Sequence, residues 1–471
     1  MSILSAALLS RYFDKQTYGT YRQIIYIYHT ILVVFTAGLP RVFSYYLPRY
    51  SLAEGKAIVN KINRALFVFG LIFSLVLFLS AVTIADALNN PELSDKIKLF
   101  SIVPSFLLPT FGIEGIFSTY KNTLNVAIYN SMSRLIMLAA IVLPVIFIEN
   151  NIIYALYGWV FSSIICFFLA LYFKNIPFKK IKSIKTNLSI SVILKYSIPL
   201  GLASIFGMAI SSSDQFFVSR FFGVENFAEF SNGYMELPFV SMITFSVGAV
   251  LMPILSKMNY DKTGSIEIVK LWRGTLIKSA TIIYPLVVFF ICYSEEVMLF
   301  MFSDLYKNSS TYFQISLFRN FFNVILFAPL LLSMGKSKIY LNMHILFALI
   351  AWLGGYLVTI FLESPYAIAV FASIRSILLT MFSFYIISKL LKIQMRELFP
   401  ITKLIIIFLH ATFSIALTLL INYFMNFNLN ELFYLTVSFL IFITILLLTS
   451  TIFKLLHLQI FKDFINNLKN K

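Results

Sequence analysis

The hydrophobic positions of this chain form stretches of about twenty residues that recur from one end to the other, separated by short polar connectors. An α-helix needs about twenty apolar residues to cross the hydrocarbon core of a bilayer. The pattern therefore predicts an all-α integral membrane protein with about fourteen transmembrane helices. The first series lies at 1–10, 23–47, 65–87, 100–117, 126–148 and 152–173. The second lies at 197–219, 233–255, 275–293, 313–334, 339–361 and 366–388, and a terminal pair follows at 403–425 and 432–453.

Lysine and arginine are concentrated in alternate connectors. One set of connectors holds 25 of them and the other set holds seven. The basic set comprises Arg49–Arg64, Lys121, Lys174–Lys195, Lys257–Arg273, Lys336–Lys338, Lys389–Lys403 and the tail from Lys454. Because basic connectors stay on the cytoplasmic side of a membrane, this asymmetry predicts that the central connector and the C-terminus are cytoplasmic.

Composition agrees with the membrane prediction. Charged residues make up 12% of the chain, whereas a soluble protein has about 25%. The formal net charge of +17 does not indicate a nucleic-acid partner, because such a protein gathers its basic residues on one domain or arm instead of in alternate connectors.

An internal repeat divides the chain. LSRYFDKQTYGTY (Leu9–Tyr21) aligns with VSRFFGVENFAEF (Val218–Phe230) at an offset of 209, and Arg64 aligns with Arg273 at the same offset. Six predicted helices separate the copies, an even number, so both copies have the same orientation and are related by an axis along the membrane normal. We predict an N-lobe (1–173), a basic cytoplasmic connector (174–196), a C-lobe (197–392), an extra helix pair (393–453) and a basic cytoplasmic tail (454–471). The first helix is incomplete compared with the second copy, so we expect either a short helix or a true start upstream.

No catalytic motif is present. The sequence lacks GxSxG, HExxH, a GxxxxGK[ST] loop and a CxxC pair, and its four histidines are far apart. We therefore expect no catalytic residue, no metal site and no cofactor, apart from coupling to H⁺ or Na⁺.

Seven ionisable residues lie inside the apolar spans, where each is costly to insert. Arg41, Arg134 and Arg375 lie near mid-depth, and their planar guanidinium groups suit phosphate oxygens, so we predict that they line a substrate cavity. The other four, which are either ion-coupling residues or members of buried ion pairs, are Asp214, Glu236 and Arg319 nearer the outer face and Glu114 nearer the inner face.

The openings of the two repeats resemble a known family. LLSRYFDKQTYGTYRQ followed by AGLPRVFSYYLPRYS, and SSSDQFFVSRFFGVENFAEFSNGY followed by VLMPILSKM, are similar to the O-antigen and capsule-type polysaccharide flippases of the multidrug/oligosaccharidyl-lipid/polysaccharide exporter superfamily. The resemblance covers the chain from Leu9 onward. It implies two six-helix lobes around a V-shaped cavity, and export of undecaprenyl-pyrophosphate-linked oligosaccharides to the outer leaflet for O-antigen, capsule or lipopolysaccharide synthesis.

The resemblance also assigns roles. It places Arg41, Asp214 and Glu236 on cavity-lining helices, gives Asp214 a role in the cavity or in ion coupling, and implies that the terminal helix pair holds the polyprenyl tail. We therefore expect an alternating-access flippase of the bacterial cytoplasmic membrane that is not an enzyme. Its expected partners are membrane lipid, the lipid-linked oligosaccharide and a polysaccharide polymerase complex, and its expected transport unit is a monomer.

Two other functions stay open from the residues alone. A drug/cation antiporter has the same fold, but it would favour acids and aromatics over several arginines in its cavity. A membrane glycosyltransferase or polymerase of the same pathway would usually carry a large extramembrane loop, whereas the longest connectors here have only about twenty residues.

Overall fold

A computed structural model describes residues 3–120, 122–179, 181–261, 264–425, 430–452 and 455. All regular secondary structure in these ranges is helical. Lys121 and, apart from Leu455, the basic tail 454–471 lie outside the described residues. The chain divides into two compact units, Met1–Ala228 and Glu229–Lys471.

The first unit contains ten α-helices and most of an eleventh, within the described residues. They are α1 (Ile3–Tyr12), α2 (Lys15–Thr36), α3 (Leu39–Tyr46), α4 (Leu52–Leu79), α5 (Ala81–Ala87), α6 (Leu93–Phe100), α7 (Val103–Leu107), α8 (Ile113–Thr119), α9 (Thr123–Phe147), α10 (Ile152–Asn175) and α11 (Ile190–Gly233). Single 3-10 turns lie at Leu47–Arg49, Leu108–Thr110 and Ile176–Phe178.

The second unit continues from Glu229 in the last turns of α11. Its further helices are α12 (Pro238–Tyr260), α13 (Ser265–Cys292), α14 (Ser294–Phe302), α15 (Ser309–Phe318), α16 (Asn320–Asn323), α17 (Phe327–Ser333), α18 (Ser337–Leu362), α19 (Pro365–Leu391), α20 (Met395–Leu398), α21 (Ile401–Met425) and α22 (Glu431–Ser450). A 3-10 turn lies at Asp304–Tyr306.

Eleven helical segments of the described chain are long and apolar enough to cross a membrane, or twelve if the bent pair α2–α3 counts as one span. Each of the predicted spans falls largely on helix. The all-helical, multi-pass architecture predicted from the hydrophobic pattern is therefore confirmed. Several helices extend beyond their apolar stretch. For example, the apolar stretch predicted at 65–87 is preceded by more helix, because α4 already begins at Leu52. Ser51 and Glu54 form a capping box at this start of the helix.

The second predicted span is broken between α2 and α3. Ala37 (φ 46°) and Gly38 (φ 70°) both adopt the left-handed conformation, and the two helices are bent by 42°. A β-carbon on Gly38 would lie 2.4 Å from the carbonyl oxygen of Ser197, so the start of α11 packs directly against the break. Only glycine combines this backbone angle with this close approach.

The order of breaks repeats along the chain. In the aligned motifs, α1 ends just before Asp14, the N-cap of α2, and α11 is interrupted at the equivalent Gly223 (φ 84°). Helices α4 and α13 are both 28 residues long. The span after each is also broken, into α6–α8 in the first unit and α15–α17 in the second. These local similarities agree with the internal repeat found in the sequence.

The terminal helices pack against α13 within the second unit through an apolar core. This cluster joins α13 to α21 and α22, and its buried members are Val288, Phe289, Tyr293, Ala411, Ile415, Phe442 and Leu446. Asn422 lies within this packing and donates hydrogen bonds to the Tyr293 hydroxyl (2.7 Å) and to Ser438 Oγ (2.7 Å).

Candidate functional site

Arg41 is placed by the break between α2 and α3. It lies in the first turn of α3, next to the buried side chains of Val42 and Phe43, and its own side chain is exposed. No acidic side chain within the described residues forms an ion pair with it. The break therefore presents an unpaired guanidinium group at the surface of an otherwise apolar span.

Arg134 and Glu114 lie on neighbouring helices of the first unit. Asn130 Nδ2 on α9 donates a hydrogen bond to Glu114 Oε1 in the first turn of α8, over 3.2 Å. Arg134 lies one turn after Asn130 on α9, on the same face of the helix, and is exposed. The described chain shows no ion pair between Glu114 and Arg134 within 4.0 Å. Glu114 is thus linked by an amide to the face that carries Arg134.

Asp214 is buried on α11, with 3% of its surface exposed. Ser213 Oγ lies 3.3 Å from its carboxylate oxygen, and the Tyr26 hydroxyl of α2 donates to the nearby Ser212 carbonyl over 3.0 Å. A buried carboxylate inside an apolar span is costly unless hydrogen bonds surround it, so this region of α11 is a polar part of the interior.

A polar seam continues along α2, which the sequence analysis did not predict. Gln23 Nε2 donates to Ser219 Oγ (2.8 Å), and Asn90 Nδ2 donates to Gln23 Oε1 (2.6 Å) and to Thr20 Oγ1 (3.1 Å). All four side chains are buried. Amide and hydroxyl side chains at the ends of apolar stretches were the only sequence signal for this network.

The second unit contains a related arrangement around Glu229, a further buried acid that the sequence analysis missed. Glu229 occupies the repeat position of Thr20 and is 5% exposed. Its Oε1 accepts a hydrogen bond from Asn308 Nδ2 (3.3 Å), as Thr20 accepts one from Asn90. In both repeats an asparagine from the connector before the broken span thus binds the same helix position.

Arg319 lies at the break between α15 and α16. Its guanidinium carbon is 4.8 Å from the centroid of the Tyr234 ring, and Nη1 lies 3.4 Å from the Tyr234 hydroxyl. Tyr234 in turn lies 3.1 Å from Ser373 Oγ on α19. Arg319 is therefore held by an aromatic face and a hydroxyl group.

Glu236 is exposed in the segment between α11 and α12. It accepts a hydrogen bond from Asn323 Nδ2 (3.4 Å), and Asn323 also donates to Asn320 Oδ1 (2.8 Å). Glu236 and Arg319 form no ion pair in the described structure, so the interactions seen at both residues are with neutral side chains. Asp214, the third of the outer group, belongs to the first unit.

Arg375 differs from the other mid-depth arginines because it is buried, with 4% of its surface exposed. It lies on α19, and its guanidinium carbon is 5.5 Å from the Phe371 ring centroid. Arg41 and Arg134 belong to the first unit and Arg375 to the second.

Lys174 lies in a different environment from the one that the sequence predicted. It was placed at the start of the basic connector, but it lies in the last turn of α10 and is completely buried. Its Nζ donates to Asn63 Oδ1 (2.9 Å) and to the carbonyls of Pro109 (2.7 Å) and Phe111 (2.6 Å). These carbonyls lie at the break between α7 and α8, where backbone acceptors have no helical partner. One ammonium group therefore supplies hydrogen bonds to two carbonyl groups at the break in this span.

Within the described residues, no three or more His, Cys, Asp or Glu side chains lie together so that they could hold a metal ion. The polar groups of the site are instead arginines, isolated carboxylates and neutral amides.

Comparisons with known proteins come from sequence and from structure. A family model described as "Polysaccharide biosynthesis protein" matches residues 1–259. No curated protein sequence matches the chain. Among solved structures, the fold is similar to the lipid II flippase MurJ in an inward-closed conformation, with a TM-score of 0.73, 18% identity, and coverage of 98% of this chain and 96% of that chain.

Multidrug transporters also share the fold. An inward-facing multidrug resistance MATE family transporter of the MOP superfamily matches with a TM-score of 0.68 and 11% identity, over 83% of this chain and 93% of that chain. A point mutant of the Vibrio cholerae MATE transporter VcmN matches with a TM-score of 0.59 and 14% identity, over 82% of this chain and 91% of that chain. The MurJ match extends over nearly the whole chain and so includes the terminal pair α21 and α22.

Proposed function

This chain belongs to the polysaccharide biosynthesis protein family, and from that premise we propose that it is a flippase for undecaprenyl-pyrophosphate-linked oligosaccharide repeat units. The cargo would be moved across a bacterial cytoplasmic membrane for O-antigen, capsule or lipopolysaccharide synthesis. A flippase makes and breaks no bond, so its residues need only bind the lipid, shield its charge and release it.

The observation that carries the proposal is the exposure of Arg41 and Arg134 and their lack of an acidic partner. Both side chains are exposed within apolar spans, and neither is paired with an acid in the described structure. A central arginine costs about 2.5–3.5 kcal/mol on insertion scales, which an inert bundle has little reason to retain. A pyrophosphate accepts bidentate hydrogen bonds from guanidinium groups and would offset this cost during transport.

We propose the following mechanism. Fourteen spans form two parallel six-helix lobes and a terminal pair, and the lobes alternate between inward-open and outward-open states. Arg41, Arg134 and Arg375 bind the pyrophosphate as it crosses, and the bend at Gly38 lets α3 move relative to α2. One or more of Asp214, Glu236 and Glu114 couple the cycle to H⁺ or Na⁺, while Arg319 neutralises charge near the outer face.

The presence of the terminal helix pair is evidence for a lipid-linked cargo. MurJ, described as a lipid II flippase, matches the chain including this pair, whereas the MATE transporters match 82–84% of it. We propose that α21 and α22 hold the polyprenyl tail. We further propose a monomeric transport unit with a cytoplasmic C-terminus that associates with a polysaccharide polymerase complex.

A drug/cation antiporter is the second candidate, because the MATE transporters have the same fold and Asp214 is a buried carboxylate. An antiporter binds cationic drugs through acids and aromatic rings, so it would be weakened by Asp214→Asn and not by loss of arginines. The two candidates therefore differ in their response to loss of the arginines, which would impair only the flippase.

The experiment is reconstitution of the purified chain in proteoliposomes that contain a fluorescent undecaprenyl-pyrophosphate oligosaccharide. The rate at which the lipid becomes accessible to an external quencher measures flipping. We expect at least a tenfold lower rate with Arg41→Ala or Arg134→Ala and partial activity with Arg→Lys, which keeps the charge but loses the planar fork. Arg396→Ala, an exposed arginine on the short helix α20, is the matched control and should be neutral. Normal flipping with alanine at positions 41, 134 and 375 together would refute the proposal, and drug efflux by the same variant would favour the antiporter.

A further inference from the structure

A cavity of about 600 Å³ lies within the first unit, between residues 57–69 of α4, connector residues 183–186 and the first turns of α11. Small-molecule sites have volumes of about 300–1,000 Å³. The residues that α4 contributes recur every three to four positions and so share one face of the helix: Ala57, Asn60, Lys61, Arg64, Ala65, Val68 and Phe69.

The polarity of the cavity changes along its length. Lys61, Arg64 and Lys185 make one end cationic, and no residue that lines the cavity in the described structure is acidic. One helical turn further along α4, about 5.4 Å, the wall becomes apolar at Val68 and Phe69. A ligand that fits both ends has an anionic group joined to a hydrocarbon chain.

The connector wall of this cavity is fixed in place. Lys56 Nζ donates a hydrogen bond to the Ile181 carbonyl (2.9 Å), and Lys61 Nζ donates one to the carbonyl of Leu188, whose side chain is buried. Both bonds join α4 to the connector on either side of residues 183–186. The cavity is therefore a built site and not a gap beside a loose loop.

Two cations remain for a ligand. Arg64 and Lys185 are exposed, and neither makes a hydrogen bond or ion pair with another described residue. After Arg64 the sequence of α4 is apolar from Ala65 to Leu79, apart from Ser74, so the cavity lies where the span enters the hydrocarbon. Lipid headgroup phosphates lie at that level.

We infer that this cavity binds an anionic glycerophospholipid of the leaflet on the basic side of the protein. The phosphate diester lies between Arg64 and Lys185, and an acyl chain follows Val68 and Phe69. The inference goes beyond the proposed function, because it concerns a resident bilayer lipid and holds whatever cargo is carried.

The second repeat supports this assignment by contrast. Arg273 occupies the repeat position of Arg64, and its Nη1 donates to the Glu397 carbonyl (2.8 Å) in the segment that leads to α21. The protein's own chain thus satisfies the arginine in the second unit. The equivalent arginine of the first unit faces an open cavity, where an external phosphate can take the place of that carbonyl.

The test is lipid binding to the full-length protein. The purified chain is titrated with phosphatidylglycerol or phosphatidylcholine in detergent, and binding is read by native mass spectrometry and by the thermal unfolding midpoint. We expect phosphatidylglycerol to bind and raise the midpoint, and its affinity to fall at least about tenfold in the double variant Arg64→Gln/Lys185→Gln. Lys182→Gln, an exposed connector lysine that does not line the cavity, is the matched control and should bind normally.

Other outcomes would overturn the inference. Equal binding of phosphatidylcholine would show that the charge of the lipid does not determine binding. Equal stabilisation by inorganic phosphate would indicate a simple anion site. Preferential binding of undecaprenyl pyrophosphate would assign the cavity to cargo. Since the double variant could misfold, a photo-crosslinking residue at Val68 of the otherwise unchanged protein provides a second measurement in native membranes. An anionic phospholipid adduct supports the inference, and the absence of any lipid adduct refutes it.

Discussion

The ammonium group of Lys174 lies 2.9 Å from the side-chain oxygen of Asn63. Its two other hydrogen bonds go to the backbone carbonyls of Pro109 and Phe111, so a single side chain of α10 joins α4 to the break before α8. An ammonium group has three N–H donors, and the three acceptors use all of them. The break in this span is therefore stabilised by a cation from another helix.

Replacing Lys174 should destabilise the first unit. Lys174→Met keeps the length of the side chain but leaves two buried carbonyls and an amide oxygen without a donor, at about 1–3 kcal/mol for each unsatisfied group. We expect a clearly lower thermal unfolding midpoint in detergent. Lys182→Met, at an exposed position in the connector, should leave the midpoint unchanged. Equal midpoints for the two variants would contradict the role assigned to Lys174.

Gly38→Ala should strain the break between α2 and α3. A non-glycine residue in the left-handed conformation costs about 1–2 kcal/mol, and the added β-carbon would lie only 2.4 Å from the Ser197 carbonyl oxygen. We expect both a lower unfolding midpoint and slower flipping, because the bend lets α3 move relative to α2 during transport. Gly274→Ala is the control, since Gly274 lies in α13 with open space around its β-carbon position. That substitution should be neutral or stabilise the protein by up to about 1 kcal/mol. A Gly38→Ala protein as stable and active as the wild type would show that the bend has no such role.

The spans could be predicted from sequence because lipid contact demands an apolar surface on every crossing helix, and the helices found match the predicted stretches. Lys174 could not be placed correctly, because a charge at the end of an apolar stretch looks the same whether it reaches water or buried carbonyls. The polar seam at Gln23 and Ser219 also went unpredicted, since it depends on which helices pack together. Arg41, Arg134 and Arg375 were predicted alike from residue type and depth, yet the first two are exposed and Arg375 is buried, because exposure depends on how each helix packs.

Membrane topology gives a direct test of the charge asymmetry. In a background that lacks both native cysteines, single cysteines at Lys182 and at Asp95, which are both exposed, are labelled in intact cells with a membrane-impermeant maleimide. Basic connectors remain cytoplasmic, so Lys182→Cys should be protected until the cells are permeabilised, and Asp95→Cys should react at once. Immediate labelling at 182 with protection at 95 would invert the predicted orientation.

Asn422 should determine how firmly the terminal pair is attached. Its Nδ2 lies 2.7 Å from both the Tyr293 hydroxyl at the end of α13 and Ser438 Oγ on α22, so one amide joins three helices in an apolar interior. Asn422→Leu removes these hydrogen bonds and leaves two buried hydroxyl groups to find other partners, and interhelical hydrogen bonds in membranes contribute about 0.6 kcal/mol on average and up to about 1.7. We therefore expect only a modest fall in the global unfolding midpoint but faster proteolysis between α21 and α22, because the pair opens locally more often. Tyr423→Leu, at the neighbouring exposed position, controls for the loss of a polar group next to lipid and should not change proteolysis.

If the terminal pair holds the polyprenyl tail, Asn422→Leu should also reduce flipping of the undecaprenyl-linked lipid more than that of an analogue with a short tail. An equal reduction for both lipids would mean that the pair only supports the fold.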